Sequence, residues 1–152
     1  MSAPRLARVA LRVALGAAFL SAVASRLGLW GSHAGHLEAA FAAFVEYVGE
    51  LNPWLPAAAW PGLAIAVTLL EGSLGVALVL GVAPRHTALA ASGLLTVFAV
   101  AMSLFTGPKS ALDYSVWTAA TAALVLGLAV PLGAASRSCS AANVALDSHT
   151  TV

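Results

Sequence analysis

Glu71 lies near the middle of an apolar run, residues 62–83, that is long enough to cross a bilayer. At a rise of about 1.5 Å per residue, roughly twenty helical residues cover a ~30 Å hydrocarbon core, so the carboxylate falls deep inside it. An ionised side chain at that depth costs at least ~2.5 to 3.5 kcal/mol. The rest of the chain must neutralise, pair or solvate Glu71. A protonated acid, or one locked to Ser, Thr or Arg of a neighbouring helix, meets that demand, and so does a ligand or proton site.

The 152 residues are 61% hydrophobic and only 9% charged, whereas a water-soluble domain carries about a quarter charged residues. The composition is that of an integral membrane protein, one transmembrane domain over 1–133. A net charge of +1 gives no reason to expect a nucleic-acid partner. The single cysteine, Cys139, excludes a dithiol pair within the chain.

Four spans are expected, at about 6–27, 62–83, 88–105 and 112–132. The first opens among Arg5, Arg8 and Arg12 and has the outline of a secretory leader. Because Arg12 interrupts its apolar centre and apolar residues resume at Leu27, it is read as a retained span. Ala10, Ala14, Ala18 and Ala22 form a strip of small side chains on which another helix can pack.

Between the first two spans, residues 37–51 have helical periodicity. Phe41, Phe44, Val45, Val48 and Leu51 share one face, and Glu38, Glu46 and Glu50 the other. This predicts an interfacial amphipathic helix in the first outer loop, stopped at Asn52-Pro53. The fold class is therefore all-α: a polytopic four-helix membrane bundle with one interfacial helix. Residues 134–152, rich in Ser, Ala and Thr, are expected to be a disordered cytoplasmic tail.

Four spans put both termini on one side together with Arg5, Arg8, Arg12, Arg85 and Arg137. The positive-inside rule makes that side cytoplasmic, in a bacterial inner membrane. All four tryptophans and both tyrosines fall toward the opposite side, a one-sided aromatic belt.

On that outer side, Arg26 closes the first span while Asp113 and Tyr114 open the fourth. Arg26, Glu71, Asp113 and Tyr114 are the candidate lining of a polar recess with Glu71 at its floor. A quinone-like head group fits such chemistry, with Arg or Tyr donating to a carbonyl and a carboxyl exchanging the proton. The plainer alternatives are an interfacial Arg26 and an Asp113 that caps the fourth helix. His33 and His36 read as solvated loop histidines, and no metal site is expected.

Leu11-Arg12, Gly16, Phe19, the stretch from Ser21 to Gly31, Glu71-Gly-Ser-Leu-Gly75, Leu80-Gly81, Ala101-Met102, Gly107-Pro-Lys-Ser110 and Leu112-Asp-Tyr-Ser115 together resemble the DoxX-like family of small bacterial four-helix membrane proteins. The likeness runs from about residue 8 to 130, with Arg26 where many relatives have Lys. It implies an accessory or subunit of a membrane redox or thiol-stress system. The expected partners are the bilayer, a membrane or periplasmic redox protein, and a second copy in a homo-oligomer. A small proton-coupled transporter, or a structural partner without catalysis, is the alternative.

Overall fold

The computed structural model describes residues 3–129, and every regular element among them is helical. The helices are α1 (Ala3–Arg26), α2 (Leu37–Leu51), α3 (Trp60–Leu80), α4 (Pro84–Phe105), α5 (Pro108–Asp113) and α6 (Val116–Ala129), with a 3₁₀ turn at Ala57–Ala59. Three helical stretches, Pro4–Arg26, Ala57–Leu80 and Pro84–Phe105, are long and apolar enough to cross a membrane. The expected tail at 134–152, with Arg137 and Cys139, lies outside the described residues, as does the end of the expected fourth span.

Local chemistry sets these boundaries. α3 starts at Trp60, two residues before the apolar run, because Pro61 suits a first helical turn whose N–H groups have no intrahelical acceptor. It stops at Gly81, where φ is +76°, a left-handed conformation that glycine adopts without cost. α4 starts at Pro84 instead of the expected Ala88 for the same reason as α3: proline occupies its first turn. The expected continuous run 112–132 is broken. α5 ends at Asp113, Ser115 adopts φ +54°, and α6 begins at Val116. Asp113 therefore closes a short helix and does not cap the next one.

α1 and α3 form one closely packed pair, and α4 and α6 another. The first pair is antiparallel: Arg12 lies over Gly81, Gly16 against Gly75 and Val79, and Arg26 beside Thr68. A Cβ on Gly16 would approach the Gly75 carbonyl oxygen to 2.8 Å, so the two backbones need glycine there. In the second pair, the buried Ser92 hydroxyl donates to the Ala120 carbonyl at 2.9 Å. One buried cluster joins all four: Leu15 and Phe19 of α1, Leu78 of α3, Ala88 and Ala91 of α4, and Ala123 and Leu126 of α6.

The expected alanine strip is not this packing face. Ala10, Ala14 and Ala18 are exposed, while Leu15, Gly16 and Phe19 are buried. A larger side chain beside a glycine fills the space between helices better than alanine alone, and the Gly16–Gly75 contact fixes which face turns inward.

α2, the 3₁₀ turn and α5 gather at the end of the helices where Arg26, Trp60, Phe105 and Val116 lie. Val48 and Leu51 of α2 are buried, whereas Glu38, Glu46 and Glu50 are exposed, matching the two expected faces. Leu51 joins Met102 and Ala111 in a second buried cluster flanked by Tyr47 and Val116. Gly49 lets α2 sit directly on the Trp60 indole, and Trp54 packs against Phe105 with ring centroids 5.1 Å apart.

Candidate functional site

Glu71 projects from the middle of α3 toward the last turn of α1, because the antiparallel pairing brings residue 26 level with residues 68–71. Its carboxylate Oε2 is 2.5 Å from Nη1 of Arg26. The residue is 3% exposed. Among the described residues, Arg26 is the charge partner of this buried oxygen. The same Nη1 donates to the Thr68 hydroxyl at 3.4 Å, and that hydroxyl in turn donates to the Ala64 carbonyl at 2.8 Å.

Phe44 of α2 completes the arrangement. The Arg26 guanidinium carbon stands 3.7 Å from the centre of the Phe44 ring. A cation over an aromatic face gains ~0.5 to 2 kcal/mol, more as water is excluded. Three helices thus meet at one guanidinium: α1 supplies it, α3 the counter-charge, and α2 the ring above it. Phe44 lies on the apolar face of α2 read from the sequence, but the periodicity contained no sign that its target was a cation. Thr68, one turn before Glu71 in the apolar run, carries no sequence signal of its contact with Arg26 either.

The four residues expected to line one recess separate into two groups. Arg26 and Glu71 meet. Asp113 instead pairs with Lys109 one helical turn earlier, both side chains well exposed. Tyr114 is 75% exposed and stands near the half-buried Tyr47, whose hydroxyl faces Thr106 and Ser110. With Phe44 over Arg26 and Glu71 almost fully covered, the floor of that recess is closed. His33 is placed by its neighbour, its Nδ1 3.1 Å from the Ser32 hydroxyl.

The pair can neutralise a buried carboxylate and fix the approach of α1 to α3. It also keeps unused donors. A guanidinium has five N–H groups, and one carboxylate and one hydroxyl do not occupy them all. The Arg26 side chain is 13% exposed, so one edge can still be reached.

No family model matches this sequence, and comparison with curated proteins and with solved structures finds no match either.

Proposed function

We propose that this chain is a DoxX-like inner-membrane protein of four spans that serves as an accessory subunit of a membrane redox or thiol-stress system. α6, which lies within the apolar run 112–132, belongs to the fourth span. The shared buried cluster of α1, α3, α4 and α6 supports that arrangement. Charge bias supports cytoplasmic termini, which puts the α2 and α5 end outside as a docking surface for the redox partner.

The observation that carries the reading is the Arg26–Glu71 pair beneath Phe44. A proton-coupled transporter needs a carboxylate that alternately meets water on both sides. Here the acid is already matched to a fixed cation and is almost fully buried, and Phe44 of α2 lies over that cation. An accessory protein needs instead a rigid outer surface, and the pair ties α1, α2 and α3 into one. Within this reading a quinone-like ligand is held by the free edge of Arg26, which donates to a carbonyl.

Mass spectrometry of lipids co-purified with the wild type, Glu71→Gln and Arg26→Ala tests it. A quinone enriched with the wild type and lost from Arg26→Ala protein that is still folded, by circular dichroism and a monodisperse elution profile, supports the ligand. No enrichment from equally folded proteins removes the quinone and leaves the accessory role to partner capture. A tag after Val152 should resist external protease in whole cells, and a cleaved tag would overturn the orientation.

A second reading, a structural membrane partner with no catalysis, is favoured by the exposed strip Ala10, Ala14 and Ala18. That strip is available to another helix because α3 does not use it. With Cys139 replaced by Ser, cross-linking from Ala14→Cys would give a dimer joined through this strip under this reading, and the absence of a cross-link would count against it.

A further inference from the structure

Opposite the α2 end, α1 presents three arginines, and none of the carboxylates among the described residues lies at that end. Arg5, Arg8 and Arg12 follow at three- and four-residue steps along one face of α1. Arg12 reaches across to α3, its guanidinium so close over Gly81 that a Cβ there would lie 2.7 Å from its Cζ. Its Nε is buried and has no hydrogen-bond partner among the described residues. Among the described residues, Arg8 is occupied through Nε, which donates to the Pro4 carbonyl. The carboxylates of the described residues, Glu38, Glu46, Glu50, Glu71 and Asp113, all belong to α2, α3 near Arg26, or α5. The two ion pairs found among those residues involve Arg26 and Lys109 and none of these arginines.

We propose that Arg8 and Arg12, beside the α3–α4 turn at Gly81, hold the phosphate of an anionic phospholipid. The C-terminal end of α3 draws Arg12 into place through its partial negative charge. That attraction positions the guanidinium but supplies no counter-ion for it or for Arg8. A phosphodiester accepts from the planar fork of an arginine through two oxygens at once, which a lysine does not reproduce. The surroundings select a lipid over free phosphate: Leu6, Val9 and Val13 of α1 and Leu80 and Val82 beside the turn are exposed apolar side chains next to the arginines. An acyl chain covers such a surface, whereas inorganic phosphate gains nothing from it. The site rests on the membrane reading of α1 and α3, and it is independent of any quinone at Arg26.

The test is native mass spectrometry of the full chain in detergent containing equal phosphatidylglycerol and phosphatidylcholine, with inorganic phosphate titrated in parallel. The expected result is selective retention of phosphatidylglycerol, reduced about fivefold or more in Arg12→Gln and in Arg8→Gln. Arg12→Lys should fall between, because it keeps the charge and loses the fork. Arg8→Gln keeps the test decisive if Arg12→Gln fails to fold, since the hydrogen bond Arg8 makes among the described residues stays within α1. Equal retention of both lipids, or unchanged retention in Arg8→Gln, overturns the site. Displacement by inorganic phosphate overturns the lipid assignment in favour of a free-anion site. A chain that remains monodisperse without detergent would instead overturn the membrane reading itself.

Discussion

Arg26 and Glu71, at 2.5 Å, are the ion pair that links two long apolar helices of this protein, and the guanidinium carries the Phe44 ring against it. Removing one partner leaves the other as an uncompensated buried charge. Such losses cost ~3 to 5 kcal/mol, whereas replacing both partners with apolar groups of similar size is often neutral. Arg26→Ala or Glu71→Ala should each lower the unfolding midpoint in detergent strongly, and Arg26→Met combined with Glu71→Leu should restore most of it.

The α1–α3 approach depends on backbone contact at Gly16 and Gly75. Gly16→Ala would place a Cβ 2.7 Å from a Val79 methyl and 2.8 Å from the Gly75 oxygen. A destabilisation of ~1 to 3 kcal/mol is expected from such overpacking. Gly93→Ala is the control, because nothing lies within 4 Å of its Cβ position. Thermal unfolding of both variants checks the pair, and equal midpoints would contradict the close approach.

Ser115 holds φ +54° between α5 and α6. A non-glycine residue there pays ~1 to 2 kcal/mol of steric cost, partly offset in glycine by its greater freedom when unfolded. Ser115→Gly should therefore raise stability by ~0.5 to 1 kcal/mol, read as a shift in the unfolding midpoint.

Tyr47 lies in α2, outside the candidate spans, and burial holds its hydroxyl above the usual phenol range, against the lowering influence of the Thr106 and Ser110 hydroxyls. Below the unfolded value, near pH 10, both states keep the proton and the full contribution to stability is present. As pH rises further the unfolded chain ionises first, so that contribution is lost up to the folded value. Unfolding midpoints measured from about pH 9 to about pH 11 should fall less steeply in Tyr47→Phe than in the wild type.

How much of this was legible in the sequence differs from one feature to the next. A carboxylate within an apolar run announces that it needs a partner, and Arg26 at the end of a neighbouring run was a natural candidate. The α2 limits followed from amphipathic spacing and Asn52-Pro53. The break at Ser115 did not, because no glycine or proline marks it and a serine with positive φ leaves no trace in composition. Alanine spacing on α1 shows where a helix can be approached closely, whereas the face that meets α3, with its Gly16–Gly75 contact, needs two helices to be seen together. Asp113 and Tyr114 were drawn toward Glu71 by shared depth along the chain. The Lys109–Asp113 pair one turn apart satisfies Asp113 locally.

The coupling between Arg26 and Glu71 is most directly measured by a double-mutant cycle on unfolding free energy in detergent, using Arg26→Met, Glu71→Leu and the double variant. A locked pair is expected to give a coupling energy of ~2 to 3 kcal/mol, with the double variant more stable than either single one. Additive effects, with coupling near zero, would mean that the two side chains do not hold α1 to α3 and would contradict the account of the site.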